Sequence, residues 1–469
     1  MVDFDLHFPA GFLWGTATAA HQVEGGNTNN NWHAWETSGP GHVFENQQAG
    51  AACDWWDGQR YLEDFDRAAE MRNNAHRFSV EWSRIEPEPG QYDDAALQHY
   101  ADMVSALRAR SMEPLVTLHH FSNPLWLEKQ GGWTNETAVG HFEQFVARVV
   151  EALGENVTLW CTINEPMVYA SQSFLTGHFP PGKKNLVSTY RVIANLLRGH
   201  AAAYRAIKAQ QPNAQVGLAK HQISFKVNRP QLIHAPAHDV IRHFFNRAII
   251  GGLLTGKLRL PLRTFRVPEA KDTLDWIGLN YYYRFAVGFH PLYPQQFFIR
   301  QSRPKTGILG PESVGEIWPE GLFEHIRWLS DVTRKPLYIT ENGVADPDDT
   351  LRPLHMVRSL CSVWQAINYN APVKGYFHWT LVDNIEWSEG YDPRFQFGLH
   401  TCDRETQERA KRRSAELYGE ICALNAFTGD MAQRYVPDQF DELFPGVDVQ
   451  ANVPLDSPDK RQTNEMNRI

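Results

Sequence analysis

The sequence predicts an α/β protein: a (β/α)8 TIM barrel forming a single domain. Three observations predict it. Short apolar runs bounded by turn residues, as in strands buried on both faces, alternate eight times with amphipathic helical stretches. Neither GxGxxG after an early strand nor GxxxxGK[ST] occurs, so the phosphate-binding signatures of the rival architecture, an open doubly wound sheet, are missing. Carboxylates and amides fall at the ends of the apolar runs, where barrels of this kind carry their active sites.

The units follow in order. FLWGTAT is the first strand, with a helix around Tyr61 to Met71. NAHRFSVEW is followed by a helix around Ala95 to Arg110, and EPLVTLHHF by one around Val139 to Leu153. VTLWCTINEP precedes a helix around Thr189 to Gln210, and AQVGLAKHQ one around Asp239 to Leu254. TLDWIGLNYYY leads, through an irregular stretch, to a helix around Leu322 to Val332. PLYITENG precedes a helix around Pro353 to Ile367, and VKGYFHWTLVDN one around Glu405 to Ala423. Residues 284–318, rich in Pro, Gly and aromatics, read as a long loop over one barrel face. The barrel is assigned to residues 1–428. Residues 429–469 show little periodicity and form a tail, partly disordered at its polar end.

Composition narrows the function. The 469 residues are 42% hydrophobic and 21% charged, enough to bury a large core, and no run is long enough to span a bilayer. A net charge of −9 without a basic stripe argues against nucleic acid. The five cysteines form no CxxC pair, and the N-terminus has no basic and apolar leader, so a cytoplasmic, reducing location is expected. Fifteen Trp residues suit either a large core or a cleft lined with flat apolar faces.

The stretch YITENG at 338–343 places an acid, Glu341, at the mouth of an apolar strand. Other strand ends carry Gln22 and Glu24, Arg77, His120, Asn164 with Glu165, Asn280 with Tyr282, and Trp379, followed by Glu386 and Trp387. A lone Glu at a barrel mouth is as readily a salt-bridge partner. Two, on the fourth and seventh strands and ringed by amides, a His and aromatics, suit glycoside hydrolysis: one acid protonates the departing oxygen, the other attacks the anomeric carbon or activates water.

At this point the sequence resembles glycoside hydrolase family 1, the β-glucosidase family. TINEP (162–166), ITENG (339–343), FPAGFLWGTATAAHQVEG (8–25), HRFSVEWSRIEP (76–87), GLNYY (278–282) and the WTLVDNIEW run (379–387) carry the resemblance, in family order from about residue 8 to about 425. The family is a retaining one, which implies that Glu341 is an ionised nucleophile. It also implies that Glu165 is the acid/base, with a proton affinity raised so that it is protonated at working pH. By the same match Arg77 and Tyr282 hold the nucleophile, with Asn280 supporting. Asn164 meets the sugar 2-hydroxyl, Gln22, His120, Glu386 and Trp387 read the remaining hydroxyls, and Trp379 lies beneath the ring. Glu386 stands where family members acting on 6-phosphosugars lack an acid, and a carboxylate there repels phosphate. The substrate implied is a small-molecule β-glycoside or oligosaccharide bearing an unphosphorylated sugar.

The sequence departs from the family pattern at Phe121, where Trp is common, and at Gly315, where a Trp often walls the leaving-group site. Trp318 is the nearest substitute. The segment LRLPLRTFRVPEAKD also looks short. His21, His119 and His221 read as cleft or supporting residues. No metal or cofactor is implied, and oligomeric state is not legible. The expected activity is that of a retaining exo-β-glucosidase, with β-galactosides and β-fucosides as side substrates. A transglycosylase and a non-catalytic sugar-binding protein are the rivals, the latter expected to lose one or both glutamates.

Overall fold

The apolar runs become strands because, once both faces are buried, only a neighbouring strand can satisfy their backbone groups. The computed structural model describes residues 5–227, 234–293, 296–304, 307–311 and 315–443. The strands are β1 (Leu13–Ala17), β2 (Ala75–Ser79), β3 (Glu113–Thr117), β4 (Leu159–Asn164), β5 (Gln215–Val227), β6 (Trp276–Phe289), β7 (Leu337–Asn342) and β8 (Val373–Trp379). Each pairs in parallel with the next, and β8 pairs with β1, so the sheet closes as a barrel.

The helices α1 (Tyr61–Glu70), α2 (Asp94–Ala109), α3 (Thr137–Leu153), α4 (Leu186–Gln210), α5 (Ala248–Thr255), α6 (Gly321–Thr333), α7 (Arg352–Asn368) and α8 (Arg413–Leu424) alternate with the strands. Their apolar spacing fixes the buried face: α3 buries Phe142, Phe145, Val146, Val149, Val150 and Leu153, one stripe of a 3.6-residue period. Side chains start them: Asp93 accepts from the amides of Ala95 and Ala96 at α2, and Asn185 from Ser188 at α4.

The strand carrying YITENG ends in a tight approach. A Cβ at Gly343 would lie 2.1 Å from the carbonyl oxygen of Trp379. Only glycine lets the end of β7 meet the end of β8 this closely, and that contact fixes Glu341 relative to Trp379.

Three elements differ from expectation. Residues 284–318 do not form a simple loop. β5 and β6 run on together above the barrel, and Ile299–Ser302 and Glu316–Ile317 add to β6 antiparallel. The helix expected around Asp239 to Leu254 is interrupted by a wider π-helical turn, Arg242–Arg247, between His234–Ile241 and α5. The last helix begins at Arg413 rather than near Glu405, because the preceding residues are claimed by other contacts. Arg409 forms a buried ion pair with Asp64 at 3.2 Å, and the Gln407 amide donates to the Ala52 carbonyl at 3.1 Å. Beyond α8, Ala426–Thr428 pairs with Asp5–His7, and Gly429–Tyr435 is helical. The end of the tail, 444–469, expected to be partly disordered, lies outside the described residues. No helix among the described residues is long and apolar enough to cross a membrane.

Candidate active site

The strand ends open into a cavity of about 550 Å³ whose lining includes Glu165, Glu341, Asn164, His120, Tyr282, Trp379, Glu386 and Trp387. Its floor is one hydrogen-bond network. Arg77, on β2, donates to Glu341 Oε1 at 2.5 Å, and Tyr282, on β6, donates to Glu341 Oε2 at 2.7 Å. The second guanidinium nitrogen of Arg77 donates to Asn164 Oδ1 at 2.7 Å. Asn280 donates to the same oxygen at 3.1 Å and to Glu165 Oε1 at 2.7 Å. The two carboxylates are thus joined through Arg77, Asn164 and Asn280.

Arg77 also fixes two orientations. A guanidinium only donates, so Asn164 must turn its oxygen toward Arg77 and its amide nitrogen toward His120 Nε2, 2.9 Å away. His120 then carries its ring proton on Nδ1, which is buried without a protein partner. Burial, with Arg77 and His119 nearby, holds His120 well below its ordinary range, so the ring is neutral.

Glu165 follows β4 and precedes a short helix, Pro166–Ser171. Its backbone is left-handed, with φ +45°. Phe121 and Trp387, also in the cavity lining, have φ +71° and +49°. Backbone strain of this kind at non-glycine residues gathers where side chains must be aimed.

The proton affinities of the two carboxyls are set by burial and by their partners. Burial raises Glu341, and the negative charge of Glu165 adds to this, outweighing Arg77 and the Tyr282 hydrogen bond; the carboxyl reaches about 6. Burial raises Glu165 too, but His221, Asn280 and Arg77 together bring it below its ordinary value. The residue responsible is His221, on β5, whose Nδ1 lies 2.9 Å from Glu165 Oε1. The sequence marks His221 as a cleft or supporting residue but does not show that it touches the acid. Its ring stacks on Tyr282, with centroids 5.8 Å apart and planes 15° apart.

Glu386 is pushed up to about 8 by burial and by the charge of Glu341, partly offset by the Trp379 indole and Gln22. Trp387 is framed by Trp32, Phe121 and His120, with ring centroids 4.8, 5.0 and 5.8 Å away. Trp379 lies 6.1 Å from the His120 ring.

Gln22 is buried beside Glu386: its amide donates to the Ile385 carbonyl at 2.6 Å and lies 3.4 Å from Glu386 Oε2, while its own oxygen has no protein partner. Glu24 turns away to Arg84 and Tyr100, at 2.8 and 2.7 Å. Of the other histidines, His21 pairs with Glu36 at 2.9 Å and His119 with Asn123 at 3.0 Å. Trp318 does not take the place of the missing tryptophan: it stacks under Arg284, 3.9 Å from the guanidinium carbon, and is not among the cavity's lining residues. Among the described residues, no group of three or more His, Cys, Asp or Glu is placed to hold a metal ion.

Comparison with known proteins agrees with this geometry. The profile of "Glycosyl hydrolase family 1" matches residues 5–427. Beta-glucosidase A of Thermotoga maritima is 31% identical over 447 residues, covering 89% of this chain and 98% of its own. A beta-galactosidase of Pyrococcus woesei is 29% identical over 509 residues, covering 90% and 98%. Among solved structures, a beta-glycosidase from Pyrococcus horikoshii superimposes with a TM-score of 0.85 at 35% identity, over 92% of this chain and 98% of that one.

Proposed function

Because this chain belongs to glycosyl hydrolase family 1 and is a β-glycosidase, we propose that it removes terminal non-reducing β-D-glucosyl residues with retention of configuration, and that it also accepts β-galactosides and β-fucosides. The observation that carries this reading is Glu341, held through both oxygens by Arg77 and Tyr282 in the same cavity as Glu165. A carboxylate fixed in this way has lost its rotational freedom and presents one lone pair direction to a sugar carbon.

In the first step Glu341 attacks the anomeric carbon. The bond to the leaving oxygen breaks, and that oxygen takes the proton of Glu165. A sugar in the cavity excludes water from Glu165 and raises its proton affinity, so Glu165 takes up that proton from solvent as the substrate binds. Passing it to the leaving oxygen leaves Glu165 a carboxylate, which the loss of the Glu341 charge on ester formation favours. In the second step Glu165 takes a proton from water, the water oxygen bonds to the anomeric carbon, and Glu341 leaves as the carboxylate. Asn164 is placed for the 2-hydroxyl, and His120 Nδ1 has a hydrogen free for another. Glu386 and Trp387 line the far side, with Gln22 supporting Glu386 and Trp379 beneath the ring.

The test is turnover of nitrophenyl β-glucoside, β-galactoside, β-fucoside and a phosphorylated β-glucoside by the parent and Glu341→Ala, with proton NMR of the first anomer released. Turnover of the unphosphorylated sugars, its loss in Glu341→Ala, and β-anomer first are expected. α-Anomer first would refute retention, and turnover of the phosphosugar alone would refute the glycone assignment.

A further inference from the structure

The acid that protonates the leaving oxygen marks the side of the cavity on which the leaving group lies. Glu165 ends β4, and the wall beside it comes from the next strand and its loop. His221, which holds Glu165, meets Phe245 edge-on, with ring centroids 5.9 Å apart and planes at 89°. Two residues on comes Ile223, which also lines the cavity. Both Ile223 and Phe245 are buried. Asn246 binds them together: its side chain accepts from the Ile223 amide at 3.1 Å and donates to the Ile223 carbonyl at 2.8 Å. The wall is thus pinned to the strand and is not a loose loop. Val168 from the helix after Glu165, Leu175 and Ile241 complete it.

Among the described residues lining the cavity, the tryptophans are Trp379 and Trp387. A Cβ at Gly315 would lie 2.4 Å from the Arg284 carbonyl oxygen, so the paired strands leave room only for glycine there. Trp318 is engaged by Arg284. The lining also holds polar residues: Gln296, Arg300 and Gln301 lie in or beside the strand Ile299–Ser302, where Arg300 is exposed, and Gln172, Thr176 and His178 follow the helix after Glu165.

We infer that the leaving group of this enzyme is an apolar alcohol or phenol rather than a second sugar. The inference rests on the β-glucosidase reading above and names the substrate class of that site. A sugar against Val168, Ile223, Ile241 and Phe245 would bury hydroxyls that these side chains cannot pair, which is unfavourable for each. An alkyl or aryl group of similar size gains from the same contact in proportion to the area it removes from water.

The test is the parent enzyme's kcat/KM for methyl, butyl and octyl β-glucoside, the last kept below its micelle concentration, beside cellobiose and nitrophenyl β-glucoside. Alkanols of this series leave with nearly equal intrinsic ease, so chain length reports apolar contact. The expected result is a rise of ~2–4-fold per methylene, with octyl glucoside above cellobiose by roughly tenfold or more. Ile223→Thr, which keeps the β-branched shape and adds a hydroxyl, is expected to flatten the rise. A flat alkyl series or a preference for cellobiose, with nitrophenyl glucoside still turned over, overturns this inference alone. Turnover of none of the glucosides overturns the glucosidase reading and the inference with it.

Discussion

Replacing Tyr282 with Phe removes one oxygen and tests how Glu341 is kept ionised. The ring should stay in place, since it stacks on His221 and meets Phe397 edge-on at 6.1 Å. What is lost is the 2.7 Å hydrogen bond to Glu341 Oε2. A hydrogen bond to a charged group contributes ~1.5–3 kcal/mol, and one pH unit corresponds to ~1.4 kcal/mol. Loss of the bond from the ionised form therefore lifts Glu341 from about 6 by about 1–2 units. The nucleophile must be ionised while Glu165 is protonated, and Glu165 is the lower of the two. The upper limb of kcat/KM for nitrophenyl β-glucoside, set by Glu341, should therefore move up by that amount, while the maximum falls ~10–100-fold. Stability follows the same sign. A carboxyl raised by folding contributes fully below its unfolded value and loses that contribution as pH rises through the folded one. The variant's deficit in thermal stability should therefore grow from pH 5 to pH 8. An upper limb and a maximum that do not move would refute the assignment of Glu341 as the group that must lose its proton.

Other changes test the remaining parts. Glu165→Gln should lower turnover of an alkyl β-glucoside ~10²–10⁴-fold but slow cleavage of a dinitrophenyl glucoside far less, since that leaving group needs no proton; equal losses on both would argue against acid catalysis by Glu165. His221→Phe keeps a ring against Tyr282 and removes the contact to Glu165 Oε1, so Glu165 should rise and the lower limb of kcat/KM, which it sets, move upward; a lower limb that stays put or falls would show that His221 does not set it. Gly343→Ala drives a Cβ into the Trp379 carbonyl and should cost ~1–3 kcal/mol of stability, read as a lower midpoint in thermal or urea unfolding.

The barrel was legible because burial on both faces leaves a local trace, a short apolar run closed by turn residues. The site was legible because its polar residues interrupt those runs at their ends. What could not be read depends on residues far apart in the chain. His221 meets Glu165 across 56 positions, and that contact helps hold the acid below its ordinary value. Residues Glu405 to Arg412 have helical composition, yet Arg409 is held in a buried pair with Asp64 and Gln407 reaches Ala52. Tertiary contacts there override local preference. The extension of β5 and β6 was hidden for a different reason: its Gly, Pro and aromatic content marks turns and cannot separate a loop from short antiparallel strands.

Charge balance explains why Glu386 should be read together with the catalytic pair. Glu165, Glu341 and Glu386 line one cavity; Arg77 is committed to Glu341 and Asn164, and His221 and the buried Lys220 lie toward Glu165. Three ionised carboxylates there would leave a buried excess of negative charge, and burial and the charge of Glu341 push Glu386 up to about 8. A protonated Glu386 can donate to a sugar hydroxyl as well as accept from one. It also means that rejection of a phosphorylated sugar does not rest on repulsion by Glu386 alone. A phosphate would bring further negative charge to a pocket where Glu165 and Glu341 already compete for one arginine. Among the described residues lining the cavity, the one Lys or Arg is the exposed Arg300. Replacing Glu386 by a neutral residue would accordingly not suffice to admit phosphosugars; a cation placed beside it would also be needed.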